Sequence, residues 1–360
     1  MAARGEPMRL QALRTRVVFA AMIVCLAGCS AGTNAVGSGS TFAHSPTLVP
    51  TPVAPTPDPA TLFARLHALT EYPSDPVPSL TVRGRRASSA GITVSDASYP
   101  SPGGGTVSAW LVEPDAAGPH PAIVYLHGSE TNRDDLLDEA VAVAHGGAIS
   151  LVLDAPFAEP GAARRQLLQR YDDVTLEQRV NAIAVMNVLR ALDILAARPD
   201  IDPGRLGFVG HSWGANIGID VAARDSRLHA VVLLVPRPSW TGYLRTSDVS
   251  WVRAARFNTP AAAWARYLEE MAPFDALPQV PRIAGASVFV QYGSADGVIP
   301  REVSKQLLDA LHNGARTSYY TAGHALNADA TADRIAWLVE RLGLGPVPAS
   351  VVAKVGLPDE

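Results

Sequence analysis

Three residues in this chain have the types and settings for acyl-transfer chemistry. Ser212 lies in "GHSWG", Asp296 in "GSADG" and His324 in "AGHAL". A serine hydroxyl is a weak nucleophile until an imidazole takes its proton, and the imidazole works best when a carboxylate fixes its tautomer. Such a set attacks a carbonyl carbon, passes through an acyl-serine and needs no cofactor. Two of them also have a plainer reading. A serine between glycines suits a tight turn, and Asp296 before Gly297 is a common turn pair. Asp154 and Asp275 are further carboxylates, and both read as loop cappers. The histidines form no H-E-x-x-H motif or carboxylate cluster, so no catalytic metal is expected.

The elements that must position these residues are legible from periodicity. Short β-branched runs alternate with longer Ala/Leu-rich stretches of helical period, the pattern of a mostly parallel sheet covered by helices. Strands are expected at 92–97, 106–112, 122–127, 148–154, 205–210, 230–235, 287–293 and 317–322, eight in all. The first two flank "YPSPGGG", so the sheet opens as an antiparallel hairpin. Helical runs follow 127, precede 205, follow 212, follow 300 and close the domain. In open parallel sheets, functional groups gather beyond the carboxyl ends of strands. Ser212 follows the run 205–210, Asp296 follows 287–293 and His324 follows 317–322. At the first of these ends, an abrupt turn from strand to helix needs small neighbours, which Gly210 and Gly214 provide, and it exposes the serine at a helix N-terminus.

The order Ser, Asp, His along the chain and the strand–turn–helix around G-x-S-x-G resemble the α/β-hydrolase family. The resemblance runs from about residue 90 to 343 and is strongest in "AARPDIDPGRLGFVGHSWGA". It points to the dienelactone-hydrolase-like, acetyl-esterase-like and prolyl-oligopeptidase-like groups, with one departure: dienelactone hydrolases carry a cysteine nucleophile where this chain has serine. The resemblance implies an oxyanion hole built from the N–H of Trp213 and an N–H of the "YLHGSETN" loop, with Ser129 the first candidate and Glu130 the alternative. His127 reads as a brace for that loop. His211 fills the variable position of the motif and reads as packing. Residues 236–282 form a helical insertion rich in aromatic side chains, among them Trp240, Trp251, Trp264 and Tyr267. They either line an apolar substrate pocket or bury the underside of the insertion.

The chain of 360 residues is 48% apolar with a net charge of −4, and it has no basic stripe, so nucleic-acid binding is not expected. Its two cysteines, Cys25 and Cys29, exclude a disulfide framework or thiolate metal site in the body of the protein. Arg4, Arg9, Arg14 and Arg16 precede the apolar run "VVFAAMIVCLAG", and "LAGC" resembles the lipobox of bacterial lipoproteins. Residues 1–29 are therefore expected to be a lipoprotein signal peptide with Cys29 acylated, leaving the protein extracytoplasmic and lipid-anchored to the bacterial cell membrane. Residues 30–60 form a Ser/Thr/Pro-rich tether. Residues 61–345 form the hydrolase domain and 346–360 a tail. The activity expected is hydrolysis of small carboxylic esters. A serine peptidase of the prolyl-oligopeptidase type, or a non-catalytic lipid-anchored binding protein on the same fold, are the alternatives.

Overall fold

A computed structural model describes residues 57–89, 91–158, 168–283, 287–311 and 315–356. The signal segment, Cys29 and nearly all of the tether lie outside the described residues. Among those described, no helix is long and apolar enough to cross a membrane.

Helix α1 (Pro59–Leu69) begins two residues before the expected domain start, with Asp58 as N-cap accepting from the Thr61 N–H at 3.2 Å. The strands follow as β1 (Thr81–Ser89), β2 (Ile92–Pro100), β3 (Thr106–Pro114), β4 (His120–Leu126), β5 (Ile149–Leu153), β6 (Ile201–His211), β7 (Leu228–Leu234), β8 (Ser287–Gly293) and β9 (Arg316–Tyr320). They form one sheet of order β1-β2-β3-β5-β4-β6-β7-β8-β9. The first three strands and the β3–β5 pair are antiparallel, and every pair from β5 through β9 is parallel. Among the described residues the sheet thus has nine strands where eight were expected. The additional one is β1, whose sequence TVRGRRASS has a single apolar β-branched residue and three arginines. Charge on an exposed edge strand blocks further pairing and also removes the alternation that marks a strand.

Buried on both faces, the central strands alternate between two cores. Val124 and Leu126 of β4, Phe208 of β6, and Val231 and Leu233 of β7 face the first, while Ile123, Tyr125, Val209, Val232 and Leu234 face the second. Helix α2 (Leu137–Ala144) contributes Ala140 and Val143 to the second core. The 23-residue α3 (Val174–Ala196) and α4 (Trp213–Ala222) fill the first with Val185, Val188, Leu192, Ile217 and Ile219. Between β7 and β8 the insertion folds as α5 (Trp240–Thr246), α6 (Ser250–Asn258), α7 (Ala261–Met271) and α8 (Ala276–Gln279). Then α9 (Arg301–Ala310), α10 (Ala328–Leu342) and the short α11 (Ala349–Val352) complete the chain. Ile335 and Leu338 of α10 close the second core.

Candidate active site

Strand β6 runs into α4 through Ser212, which adopts φ 53° and ψ −111°. A non-glycine residue with positive φ is uncommon and persists only where its surroundings over-determine it. Two contacts do so here. The Ser212 N–H donates to Leu234 O at 2.8 Å, and the glycines on either side let backbone approach backbone. A β-carbon at Gly210 would lie 2.5 Å from Gly214 O, and one at Gly214 would lie 2.3 Å from Leu126 O. Any side chain at these two positions would force the turn open.

The structure brings the three sequence candidates together. His324 Nε2 stands 2.9 Å from Ser212 Oγ, and His324 Nδ1 stands 2.8 Å from Asp296 Oδ2. Asp296 follows β8 and is buried, with Oδ1 accepting from the N–H groups of Val298 at 2.7 Å and Ile299 at 2.9 Å. Burial pushes its carboxyl pKa up, but the His324 hydrogen bond and the two main-chain donors outweigh this and hold it below the ordinary carboxylate range. An ionised carboxylate at Nδ1 keeps the Nδ1–H tautomer and turns the Nε2 lone pair toward the serine proton.

The loop after β4 lies against this turn. A β-carbon at Gly128 would stand 3.4 Å from Ser212 Cβ, so the loop carrying Ser129 and Glu130 borders the serine. Trp213 opens α4, so its N–H has no acceptor within the helix. Its indole is fixed by an Nε1–H bond to Asn181 Oδ1 at 3.0 Å and an edge contact with Phe157. His127 braces the loop as expected. Its Nε2 accepts from the Ala155 N–H at 2.9 Å, so Nδ1 carries the hydrogen and donates to Gly128 O at 2.6 Å.

Asp154 and Asp275 both act as loop anchors. Asp154 Oδ1 accepts from the Arg133 N–H, and Asp275 accepts from Ser239, Trp240 and Thr241 at the start of α5. Of the insertion's aromatics, Trp264, Tyr267 and Phe274 are buried with Leu244 and Met271 in a small core that the insertion shares with Leu66 of α1 and Val174 and Ala182 of α3, while Trp240, Tyr243 and Trp251 stack beside it. Tyr267 is locked between Trp240 Nε1–H and Glu177 Oε2. Sequence reasoning missed two contacts near the serine. Asn216, one helical turn on, exchanges hydrogen bonds with the main chain of Arg237, and Asp135 reaches His211. No motif marks either, since each joins a residue of the β6–α4 segment to a loop elsewhere in the chain.

The chain has the α/β-hydrolase fold. It superposes on acetyl xylan esterase 1 from Thermoanaerobacterium sp. JW/SL YS485 with a TM-score of 0.64, at 18% identity over 79% of this chain and 95% of that one. An acetyl xylan esterase from Paenibacillus sp. R4 gives a TM-score of 0.63 at 18% identity, covering 78% and 93%. At that identity the likeness concerns the fold. Within it, residues 174–343 match the model of the prolyl oligopeptidase family, Peptidase_S9. That segment contains Ser212, Asp296 and His324. An uncharacterized protein of Mycobacterium tuberculosis (strain ATCC 25618 / H37Rv), Rv2307c, is 26% identical over 255 residues, covering 69% of this chain and 76% of its own.

Proposed function

We propose that this protein is a serine hydrolase that cleaves carboxylic esters through an acyl-enzyme on Ser212. The observation that carries the reading is the unbroken relay from Ser212 Oγ through the His324 ring to Asp296 Oδ2, with the serine at a strained strand-to-helix turn. In the first half-reaction His324 Nε2 takes the Ser212 proton as Oγ bonds to the carbonyl carbon. Asp296 stabilises the imidazolium, and the N–H groups of Trp213 and Ser129 receive the oxyanion. His324 then delivers its proton to the leaving alcohol as the carbon–oxygen bond breaks. A water, deprotonated by the same nitrogen, hydrolyses the acyl-serine. Hydrolysis of p-nitrophenyl esters from acetate to palmitate, beside Ser212→Ala, tests the reading. Turnover that survives in Ser212→Ala would overturn it.

The match of residues 174–343 to a peptidase family supports a second reading, amide hydrolysis by the same relay. Short peptidyl anilides separate the two, because an esterase leaves them intact while a peptidase releases aniline. For the N-terminus, the lipobox-like "LAGC" and its arginine-rich approach support acylation at Cys29 and an extracytoplasmic, membrane-anchored location. Mass analysis and fractionation of Cys29→Ala test that assignment, and a variant that stays in the membrane fraction rules it out.

A further inference from the structure

His211, the residue before Ser212, is held from two sides. Its Nε2 lies 3.2 Å from the main-chain carbonyl oxygen of His324, and its Nδ1 lies 3.4 Å from Asp135 Oδ2. A carbonyl oxygen can only accept, so Nε2 carries a hydrogen and donates it, and the Asp135 carboxylate, also an acceptor, pairs with Nδ1 when that nitrogen carries a hydrogen as well, in the imidazolium form of the ring. The Thr131 hydroxyl stands 3.2 Å from the same Asp135 oxygen and 3.3 Å from Gly128 O, which links this carboxylate to the loop beside the serine. The His211 and His324 rings lie 5.5 Å apart.

The loop of His324 needs such a tie. Its internal bonds, Ala322 N–H to Tyr320 O and Leu326 N–H to Gly323 O, shape the turn without placing it against the serine, and Leu326 sits at φ 61°. The Ala295 N–H donates to Ala322 O and fastens the base's loop to the acid's loop. Among the described residues, the hydrogen bond that fastens it to the serine's turn, besides the relay itself, comes from His211.

We propose that His211 is a positioning residue: its imidazole, steadied by Asp135, clamps the His324 carbonyl and so sets the approach of His324 Nε2 to the Ser212 hydroxyl. The proposal rests on the serine-hydrolase reading and adds to it a device linking the oxyanion loop, the nucleophile and the base. The charge state of Asp135 agrees. Burial raises its pKa, yet the hydrogen bond and charge of His211, with the Thr131 hydroxyl, bring it below the ordinary value.

The test uses the full chain, p-nitrophenyl butyrate turnover and hydrogen exchange of peptides covering 321–327, in His211→Leu, His211→Gln and Asp135→Asn. A misplaced base costs rate, so His211→Leu lowers kcat about 10- to 100-fold with KM changed less than about twofold. His211→Gln restores a donor near the Nε2 position and recovers most of that loss. Asp135→Asn falls between them. Exchange over 321–327 quickens in the leucine variant and reverts in the glutamine variant. A kcat kept in His211→Leu, a loss that appears in KM alone, or unchanged exchange overturns the clamp. If the leucine variant does not fold, the ordering of glutamine and Asp135→Asn decides. If the wild type hydrolyses no ester, the functional reading fails, and exchange still judges the clamp.

Discussion

Gly293 and Gly323 meet backbone to backbone: a β-carbon on Gly293 would stand 2.3 Å from the carbonyl oxygen of Gly323 and 2.4 Å from that of Ala322. The end of β8, which leads to the acid, is thereby seated directly under the loop that carries the base.

Gly293→Ala pushes that loop away from Ser212, because the obstructing atoms are main chain and cannot rotate aside. The expected outcome is a fall in kcat of at least about tenfold. Measured melting temperatures tell displacement from collapse: displacement leaves Tm close to that of wild type while activity drops.

Removing the acid tests the relay itself. Asp296→Asn accepts from the two main-chain donors but no longer favours the productive imidazole tautomer, so kcat falls about 10³- to 10⁴-fold. The pH dependence of stability changes as well. A carboxyl held below its unfolded value contributes stability above that value, about pH 4, and loses it as the pH drops through the folded one. In Asp296→Asn the acid-side decline in Tm is therefore shallower than in wild type.

Arg334 Nε and Glu139 Oε2 pair at 2.6 Å between α10 and α2, with both side chains almost fully buried. Burial nonetheless keeps the Glu139 pKa raised, the Arg334 charge and hydrogen bond offsetting only part of it. Arg334→Met leaves an unpaired buried carboxyl and costs about 3–5 kcal/mol, whereas the double change with Glu139→Gln costs much less. Urea unfolding of the four proteins in this cycle measures the coupling, and additive losses would show that the pair contributes nothing as a unit.

Asp220 on α4 is fully buried, and neither carboxyl oxygen has a hydrogen-bond partner among the described residues. Burial, and after it the Asp275 charge, raises its pKa well above the ordinary value. The folded state then keeps a proton that the unfolded chain releases above about pH 4, so wild-type stability falls as the pH climbs. Asp220→Asn removes this penalty. Its Tm exceeds that of wild type by several degrees at pH 8 and converges with it near pH 4, as calorimetry across that range would register.

What the sequence reveals depends on where each contact arises. Ser212, Asp296 and His324 are legible because a parallel sheet collects its strand-end loops on one edge, so position along the chain implies position in space. The eight strands with β-branched runs are legible for the same reason. Strand β1 is not, since Arg83 and Arg85 serve the solvent edge and obscure the period. The Asp135–His211 contact is not, since it joins the turn before α2 to the end of β6, and no fixed spacing or signature links the two. The insertion's aromatics show the limit of composition. Trp264 and Tyr267 have the character expected of a ligand pocket, and they are buried in the core that the insertion shares with α1 and α3.

The strand order has a consequence for biosynthesis. Ser212 and His324 are separated by 112 positions, and the base lies on a loop after the last strand, which pairs with β8 at the sheet's far edge. Long-range parallel pairing forms slowly and cannot begin until both strands exist. A chain still being synthesised therefore holds Ser212 without His324 beside it. The relay of Ser212, His324 and Asp296 closes only after β9 docks, so a partly made polypeptide carries its serine unarmed.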